Sequence, residues 1–137
     1  MNEPQQSNPK KGRPLENRIA LVTGASRGIG RAAAIALASA GAHVILVART
    51  VGGLEETDDE IQKNGGTATL VPMDLRDFEA IDRLGASIYE RWGRLDALLG
   101  NAGVLGMLTP LPHLEPKVWQ EVMDVNVTAN WRLIRSL

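Results

Sequence analysis

With 137 residues, 44% of them hydrophobic and 23% charged, the chain is long enough for one domain with a real core. A net charge of −1 implies no long-range pull toward nucleic acid or an anionic membrane, and the absence of cysteine excludes disulfides, thiolate metal sites and a cysteine nucleophile. No apolar run approaches the ~20 residues of a membrane span and the N-terminus lacks a signal-peptide core, so a cytoplasmic protein without a metal site is expected.

Met1 to Asn17 is polar, with three prolines and with Lys10, Lys11 and Arg13. It cannot bury enough apolar surface to offset its ordering entropy, so residues 1–17 read as a flexible tail. A first strand is expected from about Arg18 to Val22. It runs into Thr23-Gly24-Ala25-Ser26-Arg27-Gly28-Ile29-Gly30, a glycine turn that opens a helix. Such a turn aims free backbone N–H groups and the positive end of the helix dipole at one spot, which suits a phosphate. The first helix is expected over Gly28 to Ala40, with Ile29, Ala33, Ala36 and Leu37 on its buried face and Gly41 as its cap.

Val44 to Val47 is apolar on consecutive residues, the pattern of a strand covered on both faces. A second helix follows over Gly52 to Asn64, with a thin stripe of Leu54, Thr57, Asp58 and Ile61. The third strand is placed at Ala68 to Val71. The third helix is placed at Asp77 to Trp92, where Phe78, Ile81, Gly85, Ile88 and Trp92 keep helical spacing. Leu95 to Leu99 is the fourth strand. A proline-containing loop from Gly103 to Leu114 leads to a last helix from about Glu115, with Pro116 in its first turn.

Alternating strands and helices imply a Rossmann-like α/β fold, a doubly wound parallel sheet of strand order 3-2-1-4. Ligands bind such sheets beyond the carboxyl ends of the strands, where the order reverses. Here that point lies between the glycine turn after strand 1 and Asn101-Ala102-Gly103 after strand 4. Dinucleotide folds that favour NAD carry an acid after strand 2 to hold the ribose hydroxyls. This chain has Arg49 there, and Arg27 in the turn. Two guanidinium groups with no acid suit a 2′-phosphate, so NADP is expected over NAD. Asp74, just past strand 3, is placed either to accept from an exocyclic amine or to cap the third helix. Asn126 falls on the apolar face of the last helix with Val122, Ala129 and Leu133. Its amide therefore has a structural partner or is held for a site.

Together these features resemble the short-chain dehydrogenase/reductase family. The matching motifs are T-G-x-x-x-G-I-G at Thr23 to Gly30, an aspartate at Asp74, D-x-L-x-x-N-A-G at Asp96 to Gly103, and the asparagine of Asn126-Val127-Thr128. The family usually has two asparagines in the third of these, and Gly100 replaces the first. The resemblance implies that Gly24, Ser26, Arg27, Gly28, Ile29 and Gly30 hold the pyrophosphate and adenosine end. It implies that Arg49 reads the 2′-phosphate and that Asp74 and Leu75 meet adenine. Asn101, Ala102 and Gly103 would line the ribose and the approach to nicotinamide, and Asn126 would be the supporting catalytic asparagine.

The resemblance further implies an oxidoreductase exchanging hydride with a small carbonyl or alcohol substrate, working as a homodimer or homotetramer. The family's Tyr-x-x-x-Lys is not met: four residues after Tyr89, the only tyrosine, stands Gly93, and no tyrosine follows Ser136. The chain is therefore expected to be a cofactor-binding half, truncated inside its last helix, with an open apolar edge at strand 4. The alternative is a non-catalytic nucleotide-binding or interaction protein. Leu105, Met107 and Leu108 hint at an apolar substrate wall.

Overall fold

The computed structural model describes residues 13–137. Strands β1 (Ile19–Thr23), β2 (His43–Ala48), β3 (Thr67–Pro72) and β4 (Ala97–Leu99) form one parallel sheet in the order β3-β2-β1-β4. The expected order is therefore found. Helices α1 (Gly28–Ser39), α2 (Val51–Lys63) and α3 (Phe78–Trp92) supply the crossovers. After β4 come a 3-10 turn (Leu111–His113), then α4 (Pro116–Met123), a π-helical turn (Asp124–Thr128) and α5 (Ala129–Ser136). Among the described residues no helix is long and apolar enough to cross a membrane.

β1 is buried along its whole length, and its side chains alternate between two cores. Ile19 and Leu21 join Ile45, Val47, Ile81, Ile88 and Leu133 on one face of the sheet. Ala20 and Val22 join Ala34, Ala38, Val44, Leu46, Leu54 and Ile61 on the other. The expected stripe of α2 is largely present, with Leu54, Thr57 and Ile61 buried. That of α3 is present through Ile81, Gly85 and Ile88, with Leu84 added.

The expected face of α1 is corrected. Gly30, Ala34 and Ala38 are the residues turned inward, while Ile29 is 79% exposed. The helix sits so close to the sheet that small side chains face it, and hydrophobic size alone points to the wrong side. The last helix is also not continuous. Its backbone widens into a π turn at Asp124–Thr128, so Asn126 does not occupy an ordinary α-helical position.

Within the expected tail, positions 1–12 lie outside the described residues. Arg13 to Asn17 are held in place, which corrects the expectation for that stretch. Leu15 packs on the α1–α2 core, and its N–H donates to the Ala40 carbonyl at 2.8 Å. The Arg94 guanidinium donates to the Asn17 carbonyl. Asp96 fastens the same end of the sheet. Its Oδ2 accepts from the Ile19 N–H at 2.8 Å, and Arg18 and Arg94 pair with it at 3.4 and 3.2 Å. The backbone N–H of Ile19, ahead of the two arginines, holds this carboxyl below its usual range. The strands enter at this end, and the site lies at the other.

Candidate functional site

The carboxyl ends of the four strands open on a cleft of about 780 Å³. The sequence motif Thr23 to Gly30 forms its floor, pinned from three sides. From β2, the Val47 carbonyl accepts the Ala25 N–H at 3.2 Å. From α2, the buried Thr57 hydroxyl donates to the Ala25 carbonyl at 2.9 Å and lies 3.1 Å from the Gly53 carbonyl. From the segment after β4, the Asn101 Nδ2 lies 3.3 Å from the Thr23 carbonyl and 3.4 Å from that of Gly24. The Thr23 hydroxyl, fully buried, accepts the Ala102 N–H at 3.0 Å and reaches the Leu99 carbonyl at 3.5 Å.

The glycines have distinct reasons. Gly24 and Gly28 adopt φ of 65° and 58°, where L side chains are strained. A Cβ on Gly28 would meet nothing within 4 Å, so its backbone is bare to the cleft. A Cβ on Gly30 would overlap the Gly24 carbonyl and come within 2.5 Å of Asn101 Nδ2. Gly30 is therefore the contact point of helix and turn, behind the cleft rather than in its lining.

The N-terminus of α1 has neither a side-chain cap nor an acid in its first turn, and α2 begins in the same way. Ser26, Arg27, Gly28 and Ile29 line the cleft beside the first, and Arg49, Thr50 and Gly53 beside the second. Two helix starts and two guanidinium groups bias this end toward an anion. Neither Arg27 nor Arg49 forms an ion pair among the described residues, whereas the nearby Arg31 pairs with Glu56 at 3.6 Å.

At the far side of β3 the cleft is lined by Met73, Asp74 and Leu75. Asp74 does not cap α3. That role falls to Asp77, whose Oδ1 accepts the Ala80 N–H at 3.1 Å. Asp74 instead takes Arg76 through both backbone and guanidinium. The Arg76 side-chain hydrogen bonds, with a smaller pull from Arg49, hold its carboxyl below the usual carboxylate range. It stays ionised, an acceptor only.

Asn101, Ala102, Gly103 and Val104 complete the wall after β4. Asn126 stands behind them. Its Oδ1 accepts the Val104 N–H at 2.8 Å and its Nδ2 donates to the Val104 carbonyl at 2.9 Å. Both ends of the amide are used on one residue's backbone, so Asn126 acts on the cleft through Val104. Gly100 has a local cause too. The Asn130 side chain, which donates to the Asn126 carbonyl at 2.8 Å, occupies the space that a Cβ on Gly100 would need.

Every residue expected to hold the ligand thus lines the cleft, except Gly30, which supports it. Sequence reasoning missed Thr23 as the lock between turn and β4, and Thr50, Glu121 and Val125 as lining. Thr23 was legible in principle, as a hydroxyl closing an otherwise apolar buried strand. Tyr89 is 72% exposed on α3 and outside the lining, and the Ser136 hydroxyl donates to the Leu133 carbonyl within its own helix.

A doubly wound sheet with an anion-biased glycine turn at its switch point defines a nucleotide-binding α/β domain. Residues 18–137 match the short chain dehydrogenase family model, so the chain belongs to the short-chain dehydrogenase/reductase family. It is 40% identical over 126 residues to the uncharacterized oxidoreductase YciK of Escherichia coli K12, covering 90% of this chain and 50% of that protein. A metagenomic short-chain oxidoreductase solved in complex with NADP superposes with a TM-score of 0.87 at 40% identity, covering 90% of this chain and 56% of its own. A short chain dehydrogenase of Shigella flexneri 2a, also complexed with NADP, gives 0.84 at 40%, covering 90% and 53%. The chain spans about half the length of the curated relatives it matches.

Proposed function

We propose that the protein is an NADP(H)-dependent oxidoreductase that exchanges hydride with a small carbonyl or alcohol substrate, and that these residues are its cofactor-binding half. The observation that carries the reading is that Arg27 and Arg49 line one cleft, neither in an ion pair among the described residues, and that β2 runs out into Arg49 and Thr50 with no acid in that place. Two solved relatives in complex with NADP support the same reading.

The residues fit the group. The bare backbone of Gly28 and the uncapped start of α1 suit a pyrophosphate. Arg27 and Arg49 suit the 2′-phosphate, and Asp74 and Leu75 the adenine. Asn101 to Gly103 offer a small-residue path along the strand ends. The bound dinucleotide supplies the hydride, and the chain supplies grip and orientation. Asn126 contributes at one remove, by fixing Val104 where the path ends. A cytoplasmic location and a homodimeric or homotetrameric assembly are proposed for the whole protein. Support for assembly comes from Trp119, Val127, Trp131 and Ile134, large apolar side chains exposed along α4 to α5.

Titration calorimetry with NADPH and NADH tests the reading. NADPH should bind at least about tenfold tighter, the worth of one charge-assisted contact to the extra phosphate. Arg49→Asp should abolish or invert that preference. Equal affinity for both cofactors in the unmodified protein would refute it.

A further inference from the structure

Arg76 is not part of the cleft lining, yet it joins two carboxylates that are. Its N–H donates to Asp74 Oδ1 at 2.9 Å and its Nη2 to Oδ2 at 2.8 Å, while its Nε lies 3.2 Å from both oxygens. Its Nη1 reaches Glu121 on α4 at 3.5 Å. A carboxylate offers about four acceptor sites. Three donor groups of Arg76 are spread over both oxygens of Asp74, Nε shared between them, so they orient the carboxylate and leave about one acceptor site open. The remaining acceptor capacity belongs to a side chain that is 36% exposed and lines that cleft. Exposed ion pairs add little to stability, so a fork closed on a neighbour two residues away is better explained by orientation than by fold energy.

We propose that Arg76 is a positioning residue for base recognition: it aims the Asp74 carboxylate at the exocyclic amine of the bound adenine and ties that carboxylate to α4 through Glu121. The proposal rests on the cofactor reading above and adds what makes the site select adenine over a base without the amine. Arg76 also sets one positive charge between two carboxylates that would otherwise face a ligand carrying several phosphates.

The test compares NADPH with its hypoxanthine analogue, in which a carbonyl oxygen replaces the adenine amine. The unmodified protein should bind the adenine form about tenfold tighter, as expected for a hydrogen bond to a charged acceptor. In Arg76→Ala both nucleotides should bind and the ratio should fall to about twofold or less, because a swivelling carboxylate loses its aim. A purely structural Arg76 would weaken both nucleotides equally and keep the ratio, and that result overturns the proposal. Should Arg76→Ala fail to fold, Arg76→Lys decides the same point. It keeps the charge without the fork, so its ratio should drop, and an unchanged ratio counts against the proposal. Equal binding of the two nucleotides by the unmodified protein also overturns it while leaving the cofactor reading intact. Binding of neither overturns the cofactor reading itself.

Discussion

Replacing Thr23 by valine removes one hydroxyl and leaves the shape of the side chain nearly unchanged. The hydroxyl is fully buried and is the partner of the Ala102 N–H. No cavity opens, and the Ala102 N–H left without its acceptor is only half-buried at the cleft wall, so the cost is that of one lost hydrogen bond, about 1 kcal/mol. The Leu99 contact at 3.5 Å is long and adds little. With a urea slope of about 1–3 kcal/mol per molar, the unfolding midpoint should fall by up to roughly 1 M. The effect should also reach the site, because Ala102 lines the cleft and Thr23 precedes the glycine turn. NADPH affinity should therefore weaken along with stability, whereas Thr23→Ser, which keeps the hydroxyl, should retain most of both. Urea unfolding followed by circular dichroism and a cofactor titration make the measurement. An unchanged midpoint for Thr23→Val would refute the claim that this hydroxyl locks the turn to β4.

Asn126→Asp keeps the acceptor for the Val104 N–H but sets an oxygen against the Val104 carbonyl in place of a donor. A loss of about 1–3 kcal/mol is expected, together with faster hydrogen exchange at the Val104 amide, and unchanged exchange would contradict the clamp. His43 predicts a pH dependence. Its ring nitrogens lie 2.8 Å from the Thr67 and Thr69 hydroxyls, and its ring centre lies 5.4 Å from that of Trp92, tilted by 39°. Burial first, and then the charge of Arg91, push its pKa below the usual imidazole value. The folded state therefore takes up the proton less readily than the unfolded chain. Stability is full above about pH 6.5, falls as the pH drops below it, and levels off once the folded pKa is passed. In His43→Gln this part of the slope should vanish. Asp74 and Asp96, both depressed, lose their contributions only at lower pH, from the usual carboxylate range downward.

The sheet order and the cleft residues were legible because they rest on local signals. An apolar run followed by a glycine turn marks the first strand entering a helix, and the alternation of strands and helices that continues from it leaves little choice of topology. The arginine after β2 was legible for the same reason, since its place follows from the strand. Packing distance is not local. α1 turns Gly30, Ala34 and Ala38 to the sheet because the turn and Asn101 draw it close, and nothing in a hydrophobicity pattern ranks alanine above isoleucine. Whether Asp74 caps α3 or faces the cleft could not be read from its spacing, because the choice depends on which side chain reaches the Ala80 N–H, and that is Asp77. The π turn at Asp124–Thr128 has no periodic signature, so the double hold of Asn126 on Val104 emerged only in three dimensions. Gly100 looked like a departure from a motif, and the side chain that fills its place comes from Asn130, thirty positions away in the sequence.

A crystal structure of the protein with NADP tests the central claim most directly. The pyrophosphate should lie against the backbone of Ser26 to Gly30 and the 2′-phosphate between Arg27 and Arg49, with adenine beside Asp74. A dinucleotide bound elsewhere, or a 2′-phosphate turned to solvent away from both arginines, would contradict it.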